Sequence, residues 1–324
     1  HVLLATMHHV ATDGWSMGLF LSELAALYEA FSAGRPAPLP ELPIQYADYA
    51  AWQQELLFGQ SLDDLLGFWK EHLAGAPTVL DLPTDHPRPA VQSFSGGRRY
   101  MQLGVPLTEA LKAVARSEEA SLYMLLSAAL NTILFRYTGQ RSILVGVPMA
   151  NRNRLELEGL VGLLFNQLVL RSDLSDELTF RELLADTKSR LMGVFAHQDL
   201  PFEHLVQELR IERDMSRNPV FQVLFAFQNV PPSKMSARGL VLSRYEVRET
   251  TSREDLELDM RETPEGLAGW FGYDARLFDA TTVERLRRQF CALLEAVAAD
   301  PDRPIGAIGL MPSAERHQVL AEWN

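Results

Sequence analysis

Two adjacent histidines, His8 and His9, are followed four residues after the second by Asp13 and then Gly14, in the run His8-His9-Val-Ala-Thr-Asp13-Gly14. A histidine titrates near working pH, so it can position an attacking amine or hydroxyl, take its proton and return it. That is the chemistry of acyl transfer. At the end of a strand the two rings would point to opposite faces, so one meets a substrate and the other is structural. Asp13 can lock the loop through an ion pair or backbone hydrogen bonds, and Gly14 permits a backbone conformation or close approach that a Cβ would block. A metal reading needs a third ligand, and the chain has neither His-Glu-x-x-His nor His-x-His-x-Asp-His.

The elements around this loop follow from periodicity. Val2–Met7 reads as a strand leading into it, and Ser16 caps a helix whose apolar stripe is Leu19, Phe20, Leu24, Leu27, Tyr28 and Phe31, ended by Gly34. The loop is thus a strand-to-helix connection. A proline-rich stretch, 35–43, leads to helices at 46–58 and 62–74. Residues 75–97 lose periodicity and collect prolines and glycines, which marks a domain boundary. Beyond it the pattern predicts a strand at 98–103, helices at 107–118 and 122–137, a buried strand at 143–148 and a polar turn at 150–154. A strand at 161–171, a helix at 179–196, strands at 220–227, 239–247, 255–261 and 267–273, and a closing helix at 282–298 complete it. Helices and strands mix without strict alternation, predicting an α/β layered fold with a mixed sheet.

Bulk properties narrow the function. A net charge of -12 over 324 residues repels phosphate backbones, so no nucleic acid is expected as partner. No apolar run is long enough to span a bilayer, so no membrane role is expected, and the reading is of a cytoplasmic protein. The single cysteine, Cys291, sits among apolar residues at helical spacing and is expected in a core. The chain enters directly on a strand-like run at His1 and is read as a fragment of a longer polypeptide.

Other clusters have structural readings. His197-Gln-Asp-Leu-Pro-Phe-Glu203-His204 is expected to be a capping junction, with Pro201 suited to a first helical turn. Arg213-Asp-Met-Ser-Arg-Asn-Pro219 is expected to be a self-satisfied turn. Tyr46, Tyr49 and Trp52 at helical spacing are read as support for the active-site helix. Arg98-Arg99 and Arg287-Arg288 are read as solvated faces able to help dock an acidic partner.

At this point the residues resemble the condensation domains of non-ribosomal peptide synthetases, relatives of chloramphenicol acetyltransferase. Met7-His-His-Val-Ala-Thr-Asp-Gly-Trp-Ser16 is similar to that family's active-site motif. Tyr46-Ala-Asp-Tyr-Ala-Ala-Trp52, Val161-Gly-Leu-Leu-Phe-Asn-Gln-Leu-Val-Leu-Arg171, His197-Gln-Asp-Leu-Pro-Phe-Glu203 and Arg213-Asp-Met-Ser-Arg-Asn-Pro219 resemble its later motifs, in family order. Two departures stand out. The family's usual Phe-Val-Asn-Thr is Leu164-Phe165-Asn166-Gln167 here, and the family's first two motifs are absent, including an arginine that lies near the loop aspartate in relatives. Asp13 is therefore expected to lack its ion-pair partner.

The resemblance implies a two-lobed chloramphenicol-acetyltransferase-like α/β fold with mixed sheets and an incomplete first lobe. Residues 1–80 would be the remainder of that lobe, 81–97 the inter-lobe linker, 98–311 the carboxy-terminal lobe and 312–324 the start of a linker towards an adenylation domain. It implies amide formation between two thioesters carried on phosphopantetheine arms, with upstream and downstream carrier domains and an adenylation domain as partners and no cofactor bound directly. It places His9 at the reacting centre, His8 and Asp13 as supports of the loop, the Gly14 amide near the developing oxyanion, and Trp15 and Asn166 along the substrate channel. Asp13-Gly-Trp-Ser looks like the condensing rather than the epimerising branch, and the His pair excludes the heterocyclising one. Ser93–Gly97 and the segment ending at Trp323-Asn324 resemble a domain taking an L-configured donor. Two rivals are a standalone CoA-dependent acyltransferase and a non-catalytic docking platform.

Overall fold

The computed structural model describes residues 1–212, 214–228, 236–237, 240–241, 250–311 and 321. In chain order the elements are α1 (Gly14–Ser32), α2 (Tyr46–Leu56), α3 (Gln60–Leu73), β1 (Gly96–Gly104), α4 (Val105–Ser117), α5 (Leu122–Thr138), β2 (Ser142–Met149) and α6 (Leu155–Glu158). They continue with β3 (Asn166–Asp173), α7 (Phe180–Ala196), α8 (Phe202–Glu208), β4 (Val223–Gln228), β5 (Ser236–Ala237), β6 (Leu240–Val241), β7 (Leu256–Thr263), β8 (Gly266–Asp274) and α9 (Ala280–Ala299).

Six strands form one sheet in the order β1-β8-β7-β4-β2-β3. Neighbours run antiparallel except β7 with β4 and β4 with β2, which are parallel, so the sheet is mixed as the sequence predicts. Helices α4, α5 and α9 pack on it, and α7 lies between α5 and β3. Local signals set the ends of these helices. Ser121 caps α5 by accepting from the Met124 amide, Gly139 ends it at a left-handed φ of +69°, and Thr179 and Glu182 form a capping box on α7. The core joins Leu125, Ile133, Phe180, Leu183, Phe271 and Phe290, and α3 carries Trp69 and Leu73 into it.

Residues between α3 and β1 have no regular structure, yet they are fastened along their length. Leu80 and Leu82 are buried, Leu277 O accepts from the Asp85 and His86 amides, and Arg88 forms an ion pair with buried Asp255. His197 is the C-cap of α7, its ring stacked 3.9 Å from Phe68, and Pro201 is the N-cap of α8. Asp214 bonds the Ser216 amide and Arg217, closing a self-satisfied turn, while Arg213 lies outside the described residues.

Several expectations need correction. Val2–Met7 forms no strand, because a strand needs a hydrogen-bonded neighbour and none of the described strands pairs with it. Helix α1 is capped by Asp13 rather than Ser16, since the helix starts at Gly14 and Ser16 donates to the cap. Its apolar stripe is not a core face: of the predicted positions Phe31 is 61% exposed, and Leu24 and Tyr28 are exposed too. The predicted strand over 161–171 begins only at Asn166, because 161–165 bonds to α1 and α2 instead. The two arginine pairs are not merely solvated faces. Arg98 lies over the Trp270 ring, Arg99 donates to Ala280 O, and Arg287 and Arg288 both hold Glu284. Of the 239–247 prediction only Leu240–Val241 is described, and the amphipathic segment at 312–324 lies outside the described residues except for 321.

Candidate active site

The His–Asp–Gly loop is a tight turn. His9–Ala11 form one turn of 3-10 helix, and His8, just before it, accepts the Val10 amide on Nδ1 at 3.1 Å. His8 is therefore spent on the backbone. His9 Nδ1 lies 2.8 Å from Thr12 O, a contact that only an Nδ1–H can satisfy. In the neutral ring the Nε2 edge then carries the lone pair, which is the tautomer a base needs. The Phe165 ring stands 6.2 Å from the His9 ring, and His9 itself is exposed. A 3-10 turn, not strand alternation, gives the two rings different partners, the Val10 amide for His8 and Thr12 O for His9.

Asp13 is almost wholly buried and anchors three segments. Its Oδ1 accepts from the Ser16 amide at 2.9 Å and the Ser16 hydroxyl at 2.8 Å. Its Oδ2 accepts from the amides of Leu164 at 3.1 Å and Phe165 at 3.3 Å. Arg152 grips both oxygens, Nη1 to Oδ2 at 2.8 Å and Nη2 to Oδ1 at 3.1 Å. Asp13 therefore does have an ion-pair partner, supplied by the turn after β2. Burial alone would raise the Asp13 carboxyl, but the Arg152 and Ser16 hydrogen bonds outweigh it and hold the group below its ordinary value.

The remaining predicted residues lie close by. Gly14 is the first residue of α1, and a Cβ there would meet nothing within 4 Å, so the chain itself does not demand glycine. Trp15 donates Nε1 to Glu158 O at 2.9 Å and has the Arg152 guanidinium 5.6 Å from its ring. Asn166 opens β3 with its carboxamide fully engaged. Nδ2 donates to Gln198 O and Leu200 O, both at 2.8 Å, and Oδ1 accepts from the Phe202 and Gln167 amides. It joins β3 to the α7–α8 junction beside Phe165. Tyr46 donates to Leu163 O at 2.8 Å, and Tyr49 packs with Leu157, Leu160 and Leu164, so the contacts of these two α2 tyrosines are with the segment leading into β3.

Arg152 is the residue that sequence reasoning missed. Its only signal was an arginine in a polar turn after a buried strand, and 139 positions separate it from Asp13. Among the described residues no three His, Cys, Asp or Glu side chains converge in a way that would hold a metal ion.

The condensation-domain model matches residues 1–320. The chain belongs to the condensation-domain family. A linear gramicidin synthase from Brevibacillus parabrevis is 46% identical over 325 residues, all of this chain and 6% of that protein. Surfactin synthase subunit 1 from Bacillus subtilis (strain 168) is 39% identical, again over all of this chain and 9% of the relative. This condensation domain thus spans a small fraction of the synthetases it matches. Among solved structures, the X-domain from teicoplanin biosynthesis superposes with a TM-score of 0.88 at 31% identity, covering 94% of this chain and 71% of that one. A four-domain non-ribosomal peptide synthetase bound to AMP and glycine superposes at 0.86 and 25% identity, over 96% of this chain and 24% of that one.

Proposed function

We propose that this condensation domain forms amide bonds between two carrier-bound substrates in non-ribosomal peptide synthesis. The observation that carries the reading is the His9 ring, turned by its Nδ1 contact with Thr12 O so that Nε2 is the basic edge, on a loop fixed by Asp13. The acceptor amine attacks the thioester carbonyl carbon of the donor, and His9 Nε2 holds the amine and takes its proton. The tetrahedral oxyanion lies near the Gly14 amide, the first of α1, where the helix dipole favours negative charge. Collapse breaks the C–S bond, and the proton on His9 passes to the departing thiolate, giving an amide and a free thiol. Much of the rate comes from holding amine and thioester in contact, worth up to about 7–11 kcal/mol. Trp15 and Asn166 act by fixing the channel walls rather than through free polar groups.

The partners follow from the same reading. Upstream and downstream carrier domains deliver their phosphopantetheine arms, and an adenylation domain follows in the same cytoplasmic polypeptide. Residues 1–80 form the remainder of the amino-terminal lobe, 81–97 the inter-lobe linker, 98–311 the carboxy-terminal lobe and 312–324 the next linker. The exposed apolar face of α1 and the 71% coverage of the teicoplanin X-domain support an amino-terminal lobe with more residues than these.

The test is His9→Ala in the full polypeptide with both carriers loaded. Mass spectrometry of the carrier-bound product is expected to show no amide, and near-normal product overturns the reading. The likeness to an X-domain that is also solved in complex with OxyB favours one rival, a docking platform. Intact partner binding with no product from the unmodified protein would establish it instead.

A further inference from the structure

Arg152 reaches Asp13 from a turn with an unusual backbone. The preceding residue, Asn151, has φ of +54°, in the left-handed region that β-branched and bulky residues avoid and asparagine tolerates. It is 7% exposed, and its Nδ2 donates to the Tyr49 hydroxyl at 3.3 Å. Tyr49 is itself buried on α2 and receives Gln53 Nε2 at 3.1 Å, so the hydroxyl is fixed from both sides. Immediately after Asn151 the chain presents the Arg152 guanidinium to Asp13, Ser16 and Leu160 O. A continuous path of direct contacts therefore runs from α2 through Tyr49, Asn151, Arg152 and Asp13 to the His9 loop.

We propose that Asn151 is a positioning residue for the amide-forming reaction: its left-handed backbone, fastened to Tyr49, aims Arg152 at Asp13 and so sets the placement of His9. A right-handed or extended residue at 151 would send the following side chain in another direction. Glycine adopts the same φ without strain, so the backbone requirement can be separated from the side-chain bond. Asn151 touches no reacting atom and acts through Arg152. The inference rests on the reading of His9 as the reacting centre, which the His9→Ala experiment tests separately.

The test is a double-mutant cycle in the full polypeptide, following single-turnover amide formation with both carriers loaded. Asn151→Val is expected to lower the rate constant on the order of 100-fold, the scale of an ångström's misplacement, with carrier affinity unchanged. Asn151→Gly is expected to restore most of that loss, and Tyr49→Phe to lower the rate less than Asn151→Val does. In an Arg152→Ala background, Asn151→Val is expected to add nothing, because its only route to the reaction is already gone. Thermal unfolding of each variant separates misfolding from misplacement, and Asn151→Gly keeps the proposal testable should Asn151→Val not fold. Additive effects of the two substitutions, or a glycine variant as slow as the valine one, would overturn it.

Discussion

Arg152 and Asp13 form a bidentate ion pair with side chains only 1% and 3% exposed, joining the turn after β2 to the first turn of α1. A buried carboxylate that loses its partner keeps the full cost of desolvation, so Arg152→Ala is expected to destabilise the protein by about 3–5 kcal/mol. Arg152→Lys should recover only part of this, because an ammonium cannot grip two oxygens in a fork. Urea denaturation measures both, and an unchanged midpoint for Arg152→Ala would contradict this account.

The segment leading into β3 is held by close packing at Gly162. A Cβ there would sit 2.3 Å from Tyr46 Cδ2, while the Gly162 amide bonds Ser16 Oγ. Gly162→Ala is expected to cost about 1–3 kcal/mol through displaced packing. Combining it with Tyr46→Ala should remove the clash, so the double variant is predicted to be more stable than the sum of the two single losses. Strict additivity in chemical denaturation would argue against a clash.

Asn166 uses two donors on carbonyls and one acceptor on two amides. Asn166→Asp keeps the shape but turns both Gln198 O and Leu200 O towards a carboxylate oxygen. Leaving those groups unpaired is expected to cost at least about 2–3 kcal/mol, and more at pH values where the carboxylate is charged. Comparing Asn166→Asp with wild type across acidic and neutral pH checks it, since the deficit should shrink on acidification.

His72, at the end of α3, has its Nε2 3.1 Å from Val169 O and 3.3 Å from the Arg171 amide, and burial pushes it down to about 4 from 6.5. Below about 6.5 the unfolded chain takes up a proton that the folded one refuses until about 4, so stability falls as pH falls through that window. Replacing it with His72→Gln should flatten the dependence by about 2 kcal/mol between about pH 7.5 and about pH 5. Buried Glu254, pushed up to about 7, works in the opposite direction in both proteins. The difference between the two stability profiles therefore isolates His72, and parallel profiles would refute the shift.

The sequence by itself determined the order of helices and strands around the six-stranded sheet, because periodicity and turn residues act over a few positions. The helices read at 122–137 and 179–196 are found at Leu122–Thr138 and Phe180–Ala196. It also determined which residues meet at the His–Asp–Gly loop, since His8, His9, Asp13 and Gly14 are neighbours in the chain. Tertiary structure decided what that loop is fastened to. The bonds from Asp13 to Arg152 and Phe165 span 139 and 152 positions, and no local pattern encodes a contact at that range. It also decided that Leu24, Tyr28 and Phe31 of the α1 stripe lie against none of the described core, because an amphipathic pattern states that a face is apolar but not what lies against it.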